Sequence, residues 1–472
     1  MLTYLLYICT MNLNIDFKKQ IDKILPANEA MRLMQTIEAG EPVVSLRFND
    51  AKGFAVPSGL EQVPWCDMGA YLNERPQFTF DPHFHAGSYY VQDASSMFIS
   101  HVIKSLIKRP VRYLDLCAAP GGKTTAALQA LPSGSFVVAN EIMPQRAQVL
   151  RENVIKWGAH NCMVTCDTPK KLGMMENMFD IIAADVPCSG EGMFRKDEEA
   201  VSQWSPSLVQ QCAERQWTII NDVWHALKPG GFLIYSTCTY NIDENEAMAS
   251  RIATELGATF VDVDVNEAWN IKRSLHGDIP CYRFMPHLTR GEGLFMCVLR
   301  KNGISATMPA APSRNKHSKR DNKKQSIIPA QAQEWIGDNY ELHVENGIIR
   351  ATSRGVEETL KAYGDNLHVI KDFGIEIGVV KGKNLIPSHQ LAMSTQLIDE
   401  KFTKCEVDYN TAIAYLRGES IHIESNRGFV LITHQGAILG FANNLGNRAN
   451  NLYPKSWRIM STHLPSVPPS II

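Results

Sequence analysis

The sequence predicts an α/β protein whose centre is a parallel sheet covered by helices on both faces. Three observations predict it. Apolar strand-like runs recur between residues 91 and 300, helical patterns separate most of them, and a glycine-rich loop joins the first strand to the following helix. The strands expected are Val111–Leu116, Ser135–Asn140, Asn161–Cys166, Phe179–Asp185, Gly231–Tyr235, Thr259–Val265 and Gly293–Arg300. Helices fit near 92–107, 123–130, 143–157, 207–226 and 242–256, and the last two strands lack a clear helix between them.

Smaller units flank this sheet. Residues 11–90 read as an α/β lobe: a helix over 15–38 interrupted near Pro26, then the alternating run Val43–Asn49, then turn residues and aromatics. Residues 301–330 read as a flexible basic linker carrying Arg314, Lys316, Lys319, Arg320, Lys323 and Lys324. Beyond it, 331–400 read as an accessory α/β domain and 401–472 as a further small domain of short strands. Residues 1–10 are apolar but have no basic leader and are too short to span a bilayer, so they read as an extension ahead of Met11.

A chain of 472 residues with 44% hydrophobic and 20% charged content is an ordinary globular protein of several domains. Its formal net charge of −2 means that any nucleic-acid contact must come from local basic patches. The 11 cysteines show no paired framework, which points to a reducing cytoplasm. Cys162 and Cys166 have no second pair or histidine partner, so no metal site is expected.

Chemistry concentrates in three segments. Cys117-Ala118-Ala119-Pro120-Gly121-Gly122-Lys123-Thr124 lies between a strand and a helix, where small residues let the backbone approach a ligand and the helix start offers free N–H groups. Neither phosphate-loop nor G-x-G-x-x-G spacing is present. Glu141 ends the second strand, where a carboxylate can hold both ribose hydroxyls, and Asp167 ends the third, within reach of an adenine edge. Asp185-Val186-Pro187-Cys188-Ser189-Gly190 and Ser236-Thr237-Cys238-Thr239-Tyr240 each place a thiol just past a strand. Ligands of such sheets sit at those strand ends, so both thiols should face one crevice. Carbon 5 of cytosine attacks a methyl donor only after a thiolate adds to carbon 6, and a thiol beside a cofactor loop suits that addition. An Asn/Asp-Pro-Pro-aromatic segment, expected for methylation of an exocyclic amine, is replaced here by Asp185–Cys188.

These three segments resemble the motifs of the Sun-type RNA cytosine-5 methyltransferases. The resemblance implies a class I methyltransferase with a Rossmann-like, seven-stranded sheet over 91–300 and S-adenosylmethionine as cofactor. It implies Cys238 as nucleophile, Cys188 as the thiol assisting release of the methylated base, Asp185 in contact with that base and Lys123 at the mouth of the site. The cofactor residues implied are Cys117, Ala118, Ala119, Pro120, Gly121, Gly122, Lys123, Glu141, Asp167 and Asp185. Phe84–Met97 and the segment Tyr453-Pro454-Lys455-Ser456-Trp457-Arg458 are similar to the bacterial RsmF type, which implies 16S rRNA in the small ribosomal subunit as substrate and a PUA-like RNA-binding domain over 401–472. The expectation is a cytoplasmic monomer without membrane contact. Methylation of tRNA, or a catalytically silent ribosome-assembly factor, are the alternatives.

Overall fold

The computed structural model describes residues 13–303, 328–354, 356, 367–369, 373–382, 384–461, 464–465, 467–469 and 471–472. The extension 1–10, most of the basic linker with its six cationic residues, and Lys383 lie outside the described residues.

The N-terminal lobe opens with two helices, α1 (Ile15–Ile24) and α2 (Ala27–Glu38), which part at Pro26. Asn14 caps α1 by accepting from the Asp16 N–H. Phe17, Ile21, Leu33 and Ile37 form their buried stripe. Strands β1 (Val44–Phe48), β2 (Gly69–Leu72) and β3 (Tyr89–Val91) follow as an antiparallel sheet with β1 in the centre. A one-turn helix, α3 (Pro82–Ala86), precedes β3, and α4 (Phe98–Leu106) leads into the central domain.

The central sheet contains β4 (Arg112–Asp115), β5 (Phe136–Asn140), β6 (Cys162–Thr165), β7 (Phe179–Asp185), β8 (Leu227–Thr237), β9 (Ala258–Val261), β10 (Tyr282–Phe284) and β11 (Leu294–Lys301). Their order is β6-β5-β4-β7-β8-β11-β10, and β9 also pairs with β11. Strand β10 takes the first half of β11 and β9 the second, so eight strands fill seven positions across the sheet. Strands β4 to β8 run parallel and β11 antiparallel. The short β10 is not foreseen in the sequence, because three residues carry no periodicity.

Successive side chains of these strands enter opposite faces. Leu114, Val138, Ile182 and Leu233 pack with Ile220 and Ile252 from α6 (Pro206–Val223) and α7 (Met248–Glu255). Tyr113, Val137, Ile181 and Ile234 pack with Phe98, Val102 and Ala126 on the other face. The chain leaves β4 through α5 (Gly122–Ala130) to β5 on one side, whereas β7 lies on its other side. That reversal opens a crevice at the carboxyl end of β4. The expected helix 242–256 instead begins with a π-turn over Asp243–Ala247, whose Glu244, Asn245 and Glu246 are fully buried. Such turns insert a residue into the helix and often occur at functional sites.

The C-terminal half adds two four-stranded sheets. One is an antiparallel meander, Tyr340–Glu345, Ile348–Ser353, Ile375–Lys381 and Asn384–Pro387. The other contains Thr403–Glu406, Gly428–His434, Ala437–Asn444 and Ala449–Asn451. Its core includes Phe80 and Ala86, which docks it on the N-terminal lobe.

Candidate active site

The glycine loop turns from β4 into α5 at Gly121, whose φ of +113° is a conformation that favours glycine. A Cβ there would press to 3.2 Å from Leu150. The carbonyls of the loop are taken from behind, Ala119 by Arg146 at 2.9 Å and Pro120 by Asn153 at 2.8 Å. Below it, the buried Asp115 carboxylate accepts from Thr124 Oγ1 at 2.7 Å and so fixes the first turn of α5. Arg47, fully buried in β1, donates to Thr125 and Gln92 and lies 4.3 Å from the Trp157 ring centroid, which ties the N-terminal lobe to the same helix. Cys117 stays a neutral thiol, because burial and then the charges of Asp185, Asp115 and Glu141 push its pKa up.

Glu141 follows β5 and is 3% exposed. Its carboxylate accepts from the Met143 N–H at 3.0 Å and pairs with Arg146 at 3.3 Å, so it caps the turn that follows β5. Ile142, beside it, is 55% exposed and offers an apolar surface at the strand ends. Asp167 lies at the same edge. It pairs with Lys171 at 2.6 Å and accepts from the His368 N–H at 2.7 Å.

The two thiols meet. Cys188 Sγ and Cys238 Sγ are 3.1 Å apart, and the Cys238 N–H donates to Cys188 Sγ at 3.3 Å. The separation exceeds a disulfide bond by about 1 Å. Asp185, at the end of β7, accepts from Lys123 Nζ at 2.8 Å and from Ser236 Oγ at 2.8 Å. Burial opposes the charge on Lys123, but the attraction and hydrogen bond of Asp185 outweigh it and its pKa rises. For Cys188 the hydrogen bond to Cys238 and burial both push the pKa well up, so this thiol keeps its proton. Glycine loop, carboxylates, lysine and paired thiols therefore lie together at the carboxyl ends of the adjacent parallel strands β4 to β8.

Residues 108–300 match the model of the 16S rRNA methyltransferase RsmB/F family, 13–94 the N-terminal domain of 16S rRNA methyltransferase RsmF, and 402–459 the methyltransferase RsmF PUA domain. The ribosomal RNA small subunit methyltransferase F of Escherichia coli O139:H28 is 30% identical over 421 residues, covering 84% of this chain and 84% of that protein. The chain belongs to the RsmF methyltransferase family. The protein of that name from Aliivibrio fischeri strain MJ11 is 28% identical over 415 residues, covering 84% of this chain and 85% of its own length. In fold, the chain is similar to NSun6 from Pyrococcus horikoshii solved with SFG, with a TM-score of 0.54, 19% identity and coverage of 62% of this chain and 99% of that one. As a methyltransferase of the RsmF family, the chain uses S-adenosylmethionine. The glycine cradle and the buried Glu141 fit that group.

Beneath the thiols of this RsmF-family chain lies a network that motif reading does not reveal. Glu191, fully buried, accepts from the backbone N–H groups of Tyr240 and Asn241, and from Asn241, Gln20 and Trp204 side chains. Glu244 accepts from the Ser189 N–H at 3.0 Å, from Gln216 at 2.7 Å and from Asn241 at 2.8 Å. Asn245 bridges Thr237 and the Thr239 carbonyl. The Gly192 N–H donates to the Cys238 carbonyl at 2.8 Å, and a Cβ on Gly192 would fall 2.9 Å from that oxygen. The loops after both cysteines are thus held from below. The signal in the sequence is the run Asp243-Glu244-Asn245-Glu246, too polar for a buried helix face unless its groups are satisfied.

Tyr453 is buried, and Trp457 packs on His389 and lies 4.9 Å from the Lys156 ammonium. They fasten the RsmF-type C-terminal unit to the rest of the chain, Tyr453 buried and Trp457 half-buried. Arg427, Arg448 and Lys455 remain exposed. Among the described residues, no helix is long and apolar enough to cross a membrane, and no group of three metal-ligating side chains occurs.

Proposed function

We propose that this methyltransferase modifies carbon 5 of cytosine in 16S rRNA through a covalent adduct on Cys238. The observation carrying the reading is the thiol pair at 3.1 Å, placed at the ends of adjacent parallel strands beside the Lys123–Asp185 pair. S-adenosylmethionine, when bound, supplies an electrophilic methyl group on a sulfonium. The glycine loop 117–123, Glu141, Asp167 and Asp185 hold it. Cys238 adds as thiolate to carbon 6 of the base, and the neutral Cys188 thiol donates a hydrogen bond to that thiolate beforehand. The charge gained by the ring spreads to N3 and O2, where the Lys123 ammonium stabilises it, while Asp185 accepts from the exocyclic amine. Once Cys238 is bonded to carbon, Cys188 loses the hydrogen bond that raises its pKa. It then gives up its proton to solvent and, as a thiolate, takes the proton from the methylated carbon 5, while the ring double bond re-forms and the Cys238–carbon 6 bond breaks to free the Cys238 thiolate.

Residues 331–400 and the PUA-like unit 401–472 are read as placing RNA of the small ribosomal subunit, with the chain acting as a cytoplasmic monomer. Exposed Arg427, Arg448 and Lys455 supply phosphate contacts. Bisulfite sequencing of rRNA from a deletion strain tests the reading. It predicts that a protected cytosine in 16S rRNA becomes convertible. Unchanged 16S rRNA, with a loss confined to tRNA, would move the substrate.

A further inference from the structure

Strand β6 is the edge of the central sheet, and an edge leaves a row of backbone groups unpaired. Here its end is covered by Leu367–Val369, from the accessory half of the chain. Thr165 and Val369 form an antiparallel bridge, and the Cys166 N–H donates to the His368 carbonyl at 2.9 Å. The next donor in this ladder, the His368 N–H, goes to a side chain, Asp167 Oδ2, at 2.7 Å.

Asp167 is otherwise fixed from within the methyltransferase domain. Lys171 holds Oδ1, and Asn140 joins the Asp167 backbone to the Leu116 carbonyl at the start of the glycine loop. Val356, Leu367, Val369 and Phe373 pack on the core of the central domain, with the Phe373 ring 5.2 Å from Phe136. All of these accessory residues lie outside the matched segments 13–94, 108–300 and 402–459.

We propose that the His368 backbone amide is a positioning group of the cofactor site, orienting Asp167 toward the 6-amino group of the adenine of S-adenosylmethionine. The proposal rests on the reading of Asp167 as a cofactor residue. A carboxylate oxygen accepts two hydrogen bonds, so Oδ2 can hold His368 and an adenine amino donor together. The accessory unit thereby contributes to cofactor affinity, and by linkage the bound adenosine steadies the accessory segment on β6.

Calorimetry on the full chain with S-adenosylhomocysteine and its 6-oxo analogue, S-inosylhomocysteine, tests this. His368→Pro, which removes the N–H, should weaken S-adenosylhomocysteine binding on the order of tenfold, the loss of one charge-assisted hydrogen bond. It should leave the 6-oxo analogue unaffected, and His368→Ala, which keeps the N–H, should bind both as the unaltered chain does. Wild-type affinity in His368→Pro, alongside weakened binding in Asp167→Asn, overturns this proposal alone. Wild-type affinity in Asp167→Asn overturns the placement of Asp167 in the cofactor site and this proposal with it. If His368→Pro does not fold, hydrogen exchange of the His368 amide in the unaltered chain decides. Slower exchange with S-adenosylhomocysteine than with the 6-oxo analogue supports the proposal, and equal exchange overturns it.

Discussion

Cys188 Sγ and Cys238 Sγ lie 3.1 Å apart although fifty residues separate them in the chain. The proximity makes their roles unequal. The hydrogen bond to Cys238 and burial hold the proton on Cys188, and the Lys123 ammonium adds positive charge on the Cys238 side. In the proposed mechanism Cys188 is therefore the donor and Cys238 the nucleophile.

Glu191→Gln should lower turnover while leaving S-adenosylhomocysteine affinity near that of the unaltered chain. An amide has one acceptor oxygen, so either the Tyr240 and Asn241 N–H groups or the Gln20, Trp204 and Asn241 side chains lose their acceptor, and the loop carrying Cys238 is held less firmly. Glu191→Ala should unfold more easily by about 3–5 kcal/mol, because several buried donors are left without an acceptor. Single-turnover kinetics and denaturant unfolding check the pair. Wild-type turnover in Glu191→Gln would remove Glu191 from the positioning of Cys238.

Glu141→Ala should weaken S-adenosylmethionine binding by about 1.5–3 kcal/mol, the scale of hydrogen bonds to a charged group. Calorimetry reads this directly. Unaltered affinity would leave the carboxylate as a cap for Met143 and a partner for Arg146.

Asp115 gives a pH signature. Burial raises its pKa from 3.8 to about 7, with the Thr124 hydrogen bond opposing. The folded state therefore binds more protons than the unfolded state between about pH 4 and 7, so this group's contribution to stability falls as pH rises through that window. Asp115→Asn keeps an acceptor for Thr124 and has no charge to bury. Its melting temperature should fall less between pH 5 and pH 8 than that of the unaltered chain, measured by calorimetry across pH. Parallel profiles would show that Asp115 does not titrate there.

The triple variant Arg427→Ala/Arg448→Ala/Lys455→Ala should lose affinity for 16S rRNA and flatten its salt dependence, since fewer phosphate counterions are displaced. Trp457→Ala should instead lower thermal stability, because that ring packs on His389 and Lys156. Filter binding at two salt concentrations and thermal melts separate the two. An unchanged salt slope in the triple variant would place the RNA contact elsewhere.

Strand and loop chemistry were legible where local pattern determines them. Val111–Leu116 and Phe179–Asp185 read as buried strands because apolar runs bounded by turn residues have few other uses. The thiol loops read as one crevice because parallel strands end on one side of their sheet. Strand β10 was illegible at three residues, and the π-turn at Asp243–Ala247 reads locally as helix. Glu191 carries no local signal, since only the fold brings Gln20, Trp204 and Asn241 around it. The packing of Tyr453 and Trp457 has no local signal, because it depends on Lys156 and His389, which are far away in sequence.

The covalent role of Cys238 is tested most directly by trapping it. Purified Cys188→Ala, Cys238→Ala and the double variant are incubated with 16S rRNA and S-adenosylmethionine and run on denaturing gels. Cys188→Ala should accumulate a protein–RNA adduct, because attack proceeds and release does not. Cys238→Ala and the double variant should form none and transfer no methyl group. An adduct in Cys238→Ala but not in Cys188→Ala would reverse the two roles, and wild-type methylation by Cys238→Ala would contradict covalent catalysis through this thiol.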